Sequence, residues 1–599
     1  MMSMACSCSA DRSRAGWRLS SARVKATLLA LAMASGCAGN IAGDGSGSGN
    51  GSENPPKGSG GGTGTNPGGG NGMTGGGTDP GGGGTMGGSG MTIEPLLGHT
   101  PLRRLTRSQY NNTVRDLLGV AGDPAGGFGV DEEDTGFASN DRAPLTDLQL
   151  EKYQQAADGI AENAVANLQN VLKCAPGAAE ADCVDQFVTG FGKRAFRRPL
   201  TAAEVTRYKN LFTTGKTGGT VASGISLVIS AMLQSPYFLY RVELGEGQAN
   251  AQGLLPLSGW EVGTRLAYFL TDSTPDDALL AAAEAGKLKT PEGISAEAQR
   301  LLTSPKSRDT LISFYQQWLG VDDLPIVEKD AKAYPMFDAT VRSAMRDEVL
   351  EFVDQVTRLG DGKLTTLLTS NTTWIRGPIY PLYGLPAQGQ AGGSILHKVT
   401  LPAEERAGIF TTAGVLAKYG HADQSSPVGR GKLVSERLLC VVPPDPPPGV
   451  AANIPPVDPN VPTRIRFEKH RTNPQCSSCH NLIDPLGVPF EIYDGIGRYR
   501  TMDGGKAVDA SSMLTGTKAS DGPVKNAIEL VKKLAGAEET KDCFSRQMFR
   551  YAMGRGESKF DDPMIADIKA AFMKTDRIPD LMTAIATAPG FRTRIPVDR

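Results

Sequence analysis

The sequence predicts a mainly α-helical chain of several small helical domains joined by proline-rich connections. Three observations carry that prediction. Apolar residues recur at helical spacing through most of the chain after about residue 93, and one helix-opening device appears four times. Runs with strand-like alternation, by contrast, are few and short.

The N-terminus reads as an export signal spanning 1–37. Arg12, Arg14, Arg18, Arg23 and Lys25 form a positive region, and Ala26–Met33 is a short apolar core. Ala34-Ser35-Gly36 then places small residues before Cys37, the pattern in which a bacterial lipoprotein cysteine is acylated and becomes the first residue. An ordinary signal peptide with Cys37 left free is the alternative. Residues 38–92 are Gly, Ser, Thr, Asn and Pro with little to bury, which predicts a disordered tether. No later run is long and apolar enough to span a bilayer, so membrane attachment would come through lipid on Cys37. The expected location is the cell envelope, on an outer-membrane or periplasm-facing lipoprotein. A formal net charge of −2 gives no electrostatic case for nucleic acid.

The remaining chain divides into expected helical domains at 93–175, 176–245 and 252–388, a segment at 395–505, and a C-terminal helical domain at 510–599. Leu105-Thr106-Arg107-Ser108-Gln109-Tyr110 is a capping box: Thr106 caps, Gln109 reaches back, and Leu105 staples against Tyr110. The helix runs through Val114, Leu117 and Leu118 and stops at Gly119. The device returns at Leu145-Thr146 with Gln149-Leu150, at Leu200-Thr201 with Glu204-Val205, and at Leu257-Ser258 with Glu261-Val262. The uneven spacing excludes a solenoid. Periodicity predicts further helices at Ser226–Leu233, Asp276–Ala285, Ala296–Leu302, Thr310–Trp318, Val341–Thr357, Ala527–Leu534 and Phe544–Met553. Trp374–Ile375 and Val399–Leu401 are the best strand signals, and the proline run 441–449 reads as a polyproline spacer.

The chemistry concentrates at Cys476-Ser477-Ser478-Cys479-His480. Two cysteines three apart followed by histidine is the attachment signature of a c-type haem: the thiols add to the two vinyl groups and the imidazole becomes the proximal iron ligand. The same residues are open to a Cys476–Cys479 disulfide, a reducible CxxC pair, or half of a zinc site. For the far side of the iron, His421 on a polar loop ranks first and Met513 second, with a five-coordinate iron as the third possibility. Arg498 and Arg500 could meet haem propionates or pair with Glu491 or Asp494.

Six cysteines follow Cys37. If haem takes Cys476 and Cys479, the remaining pairs are naturally Cys174–Cys183 and Cys440–Cys543, although spacing alone does not determine connectivity.

At Arg430-Gly431, the proline run, the CxxCH stretch and Asp484-Pro485-Leu486-Gly487 through Arg498, the chain resembles a planctomycete-type, cytochrome c-like family of secreted proteins built from five consecutive domains of unknown function. LRRLTRSQYNNTVRDLLG, FGKRAFRRPLTAAEV, LQSPYFLYRVE, RLAYFLTDSTPDDALLAAA, FYQQWLG and RQMFRYAMGRGES extend that resemblance over nearly everything after the tether. It implies an exported protein with one haem-binding, cytochrome c-like segment, and it assigns no activity. One CxxCH means that electrons would pass to or from an outside redox partner protein.

The expected function is an exported, lipid-anchored c-type haem protein in envelope electron transfer. The alternatives are a non-haem surface lipoprotein serving as a binding or structural module, and a haem-dependent oxidative enzyme acting on an extracellular polymer. No recognisable second catalytic motif accompanies the CxxCH, so no enzymatic activity is assigned.

Overall fold

The computed structural model describes residues 101–142, 144–175, 177–386, 393–444, 454–471 and 474–596. The signal segment, Cys37, the tether and most of the proline run lie outside the described residues, as do the side chains of Cys476 and Cys479.

The chain is mainly helical, and among the described residues the strands form two-stranded pairs. The first helices are α1 (Arg107–Leu118), α2 (Asp147–Val165), α3 (Glu180–Phe196), α4 (Ala202–Lys216) and α5 (Val221–Leu233). They share one apolar core running from Leu105 and Tyr110 to Phe238 and Leu239. Next come α6 (Gly259–Thr271), α7 (Asp277–Glu284), α8 (Pro291–Thr303), α9 (Ser307–Leu319) and α10 (Ala339–Thr357). Then follow α11 (Ala413–Lys418), α12 (Pro427–Leu438), α13 (Thr463–Arg471) and α14 (Pro474–Gly487). The last are α15 (Ala527–Ala535), α16 (Glu538–Met553), α17 (Asp562–Thr575) and α18 (Ile578–Thr587). From α6 onward every one of these helices except α13 contributes to a second, continuous core. Trp318 on α9 meets Phe544 of α16 edge-on at 5.3 Å, so distant parts of the chain share that core.

All four sequence-predicted capping boxes form, at Thr106, Thr146, Thr201 and Ser258. A fifth forms at Thr220 with Ser223, where Ser replaces the Glu or Gln that makes the signature readable. The hydrophobic staples differ in burial. Leu105 and Tyr110 are buried, as are Leu257 and Val262, but Leu150 is exposed because the start of α2 lies at the surface. The strand Thr372–Ile375 pairs antiparallel with His397–Thr400, within two residues of the expected positions.

Three ties close the fold over long sequence distances. Cys440 and Cys543 form a disulfide linking the end of α12 to α16, in contrast to the local disulfide that joins Cys174 to Cys183 in the first turn of α3. Strand Thr593–Arg594 returns to pair with Leu255–Pro256. Arg265 on α6 is bidentate to buried Glu243, at 2.7 and 2.6 Å, and also reaches the Phe591 carbonyl at 2.9 Å. No helix among the described residues is long and apolar enough to cross a membrane.

Candidate functional site

The CxxCH stretch forms the beginning of α14, and α14 lies directly on α12. Two glycines allow that approach. A Cβ on Gly487 would sit 1.8 Å from the Pro427 carbonyl oxygen, and one on Gly431 would sit 2.2 Å from that of Ile483. No side chain fits at either position, which explains glycine at both.

Beside Gly431, the guanidinium of Arg430 is fully buried and works as a clamp. Its Nη1 donates to the carbonyls of Phe490 and Tyr493, each at 3.0 Å, and its Nη2 donates to those of Leu416 and Asp494. The rigid fork of donors fixes the turn that follows α14 against α11 and α12. Arg406 grips the same turn from another side. It donates to the Gly497 carbonyl at 2.7 Å and lies 4.6 Å from the ring centres of both Tyr383 and Tyr493. The motif that prompted the resemblance therefore has a structural role: it positions α14.

His480 projects one turn ahead of Asp484, and its Nδ1 lies 3.0 Å from Asp484 Oδ1. The Asp484 side chain is 5% exposed and that of His480 is 20% exposed. A carboxylate on Nδ1 fixes the ring orientation and tautomer and raises the basicity of Nε2, the arrangement by which proteins tune metal-ligating histidines. Sequence reading passed over Asp484, although its i,i+4 spacing from His480 on one helix was a usable signal.

His421 and Met513 occupy different surroundings. The His421 ring is half-buried and stacks on Phe467 of α13, at 6.0 Å with planes 10° apart. Burial and the nearby Lys329 cation hold its pKa below the ordinary histidine value, favouring the neutral, ligating form. Lys329 also donates to the carbonyls of Gly420 and His421, each at 2.8 Å, and burial pushes its own pKa down to about 7. Met513 is 57% exposed on strand Ser512–Leu514, which packs against α14. Exposed apolar side chains also occur on α14 itself, at Leu482, and on neighbouring α13, at Ile465.

The two arginines considered for propionates have carboxylate partners within the chain. Arg498 pairs with Asp494 at 2.6 Å. Arg500 pairs with buried Glu491 at 2.8 Å and with Asp503 at 2.9 Å. The two disulfides take Cys174, Cys183, Cys440 and Cys543, so of the six cysteines after Cys37 only Cys476 and Cys479 lie outside them.

Family models match the chain at five successive places. These are the proteins of unknown function DUF1587 at 103–166, DUF1595 at 183–243, DUF1592 at 257–385, DUF1588 (PSCyt3) at 406–503 and DUF1585 at 521–591. The chain carries five consecutive domains of these families. The CxxCH helix, Arg430, His421 and the Arg500–Glu491 pair all fall within the DUF1588 match, while Met513 lies beyond it. No curated protein and no solved structure matches the chain.

Proposed function

We propose that the chain is an exported, lipid-anchored c-type haem protein that transfers electrons in the bacterial cell envelope. The observation that carries this reading is the His480–Asp484 bond on the CxxCH helix. With Nδ1 engaged by a buried carboxylate, Nε2 is the nitrogen that would meet iron. Cys476 and Cys479, on the same helix, would hold the porphyrin through two thioethers.

The surroundings fit such a group. A porphyrin is a broad apolar disc, and Leu482, Ile465 and Met513 offer exposed apolar surface on α14 and the elements against it. Haem attached there supplies a one-electron iron couple. The chain's own residues would orient it: Asp484 aligns the imidazole, while Arg430 and the Gly431–Gly487 contact hold α14 in place. His421, kept neutral, and Met513 are the candidates for the distal position. Lipid on Cys37 would keep the protein at a membrane, and one haem requires a separate redox partner protein to pass electrons onward.

The deciding experiment is an absorption spectrum of the full chain made in a host competent for cytochrome c maturation. A Soret and α-band surviving acid–acetone extraction, with a haem-sized adduct on the Cys476–His480 peptide, is expected. A colourless protein with Cys476 bonded to Cys479 would end this reading.

A further inference from the structure

A cleft of about 1210 Å³ opens where DUF1587, DUF1595 and DUF1592 meet, and it takes no residue from the DUF1588 match that holds the CxxCH helix. Its walls are the end of α1 with the turn 119–121, the end of α2 with the segment 167–173, one face of α3, and the start of α7. Sites for one small molecule span roughly 300–1,000 Å³, so this cleft has room for an oligomer. The α3 wall carries a glycine that the fold does not need. A Cβ on Gly192 would sit 2.4 Å from Leu200 Cδ1, so packing requires glycine there. A Cβ on Gly190 would meet nothing within 4 Å, yet Gly190 lies in the middle of α3 and lines the cleft beside Phe187 and Phe191. Glycine inside a helix is destabilising relative to alanine. What it provides here is bare helix backbone, against which a broad ligand can lie.

The polar groups free to meet such a ligand are neutral. Asn163, Asn167, Gln169, Asn170 and Gln186 line the cleft at exposed positions. Among the described residues, none of these amides has a hydrogen-bond partner within the chain. Asn167 stands at the N-cap of the short helix Leu168–Leu172, where asparagine ordinarily accepts from the backbone, yet it makes no capping bond. The charged lining residues are matched inside the chain: Arg115 with Asp309, Asp116 with Lys306, Lys193 with Glu284 and Arg194 with Asp277. Lys173, the remaining one, is exposed to solvent. The apolar share is modest. Leu117, Phe187, Phe191 and Leu280 are buried under the chain's own atoms, and Leu118, Val120, Val171 and Leu172 are half-buried. That leaves aliphatic patches without deep pockets, a poor seat for an acyl tail or for the alternate side chains of a bound peptide. A carboxamide donates and accepts at once, as a hydroxyl does, so neighbouring amides match the vicinal hydroxyls of a sugar. The C–H faces of the rings would lie on the aliphatic patches.

We propose that this cleft binds a neutral oligosaccharide, held at its hydroxyls by the free amides and laid across the bare backbone at Gly190. The site is independent of the haem reading.

The test is isothermal titration calorimetry of the full chain with maltohexaose, cellohexaose, xylohexaose and chitohexaose, at low and high salt. Saturable binding of at least one is expected, with an affinity indifferent to salt because no charge is neutralised. Gly190→Leu should fill the floor and abolish binding. Gly190→Ala should leave Tm unchanged or higher while binding weakens, a pairing that a merely structural glycine would not give. Asn167→Ala combined with Gln186→Ala should weaken binding by about tenfold or more, through two lost hydrogen bonds. Amide hydrogen exchange of the unsubstituted protein needs no variant: the bound hexaose should protect the end of α2, the segment 167–173 and α3. Four results would overturn the proposal. They are no heat and no protection with any of the four sugars, binding that Gly190→Leu leaves intact, binding that falls steeply with salt, or binding of an uncharged, end-capped hexapeptide in place of the sugars.

Discussion

Gly487 and the carbonyl of Pro427 lie so close that a single added methyl carbon would sit 1.8 Å from the oxygen. This contact sets the separation between the CxxCH helix and the helix that carries Arg430. The oxygen belongs to the first turn of α12, so relief requires moving one helix against the other.

Gly487→Ala should therefore destabilise the folded chain by more than the about 1–3 kcal/mol usual for overpacking. Chemical denaturation of the chain made without haem measures this directly. On the proposed haem reading, haem incorporation should fall in parallel, because α14 is displaced. A variant with unchanged midpoint and unchanged haem yield would contradict the close-contact account.

Arg430→Lys should be poorly tolerated despite conserving charge. One ammonium cannot reproduce a planar fork serving the carbonyls of Phe490, Tyr493, Leu416 and Asp494. Buried carbonyls left without donors cost about 1–3 kcal/mol each, so a loss of at least about 3 kcal/mol is expected. Hydrogen exchange should show earlier opening of the 490–497 turn than in the unsubstituted protein.

On the proposed haem reading, Asp484→Asn tests the tuning of His480 as iron ligand. Removing the negative partner of Nδ1 makes the imidazole a weaker donor, which favours ferrous over ferric iron. The reduction potential of the haem protein should rise, as measured by spectroelectrochemical titration. Stability should change much less than in the Arg430 variant. A potential that stays put would show that Asp484 only packs.

Stability should decline with rising pH across the weakly acidic range. Glu348 is fully buried, with Tyr383 Oη donating to both its oxygens at 2.6 and 2.7 Å, and burial raises its pKa to about 7. Asp272 is raised to about 7 in the same way. Both hold a proton more tightly in the folded state. Their contribution is therefore complete below the unfolded values near 4 and is lost as pH rises through about 7. Each is worth on the order of 3 kcal/mol. Glu348→Gln keeps a neutral hydrogen-bonding group and should flatten part of the slope in Tm against pH, with the Asp272 share remaining.

Cys440→Ser should cost about 2–5 kcal/mol, because it releases a loop of 103 residues in the unfolded chain. Differential scanning calorimetry of the oxidised protein against the variant gives the comparison, and reductant should lower Tm more in the former, because the variant keeps only Cys174–Cys183.

Much of this architecture could be read in the sequence because its determinants are local. Thr106, Thr146, Thr201 and Ser258 open helices through bonds to residues three positions on, so a short window contains all the information. The CxxCH motif is likewise legible in five consecutive residues. Thr220 escaped because Ser223 lacks the side-chain length that marks the usual box.

Partnerships across long stretches of chain arise only on folding. No window contains both Arg430 and Tyr493, both Arg265 and Phe591, or both Trp318 and Phe544. Arginine looks the same in a sequence whether it is destined for a carboxylate, as at Arg500, or for a carbonyl clamp, as at Arg430. Its role is set by which acceptors folding brings within about 3 Å, and by how much water is removed around them. Local order was enough to mark where helices begin and where the CxxCH motif lies. Packing determined which charges are buried together, because desolvation depends on three-dimensional neighbours and has no signature in local order.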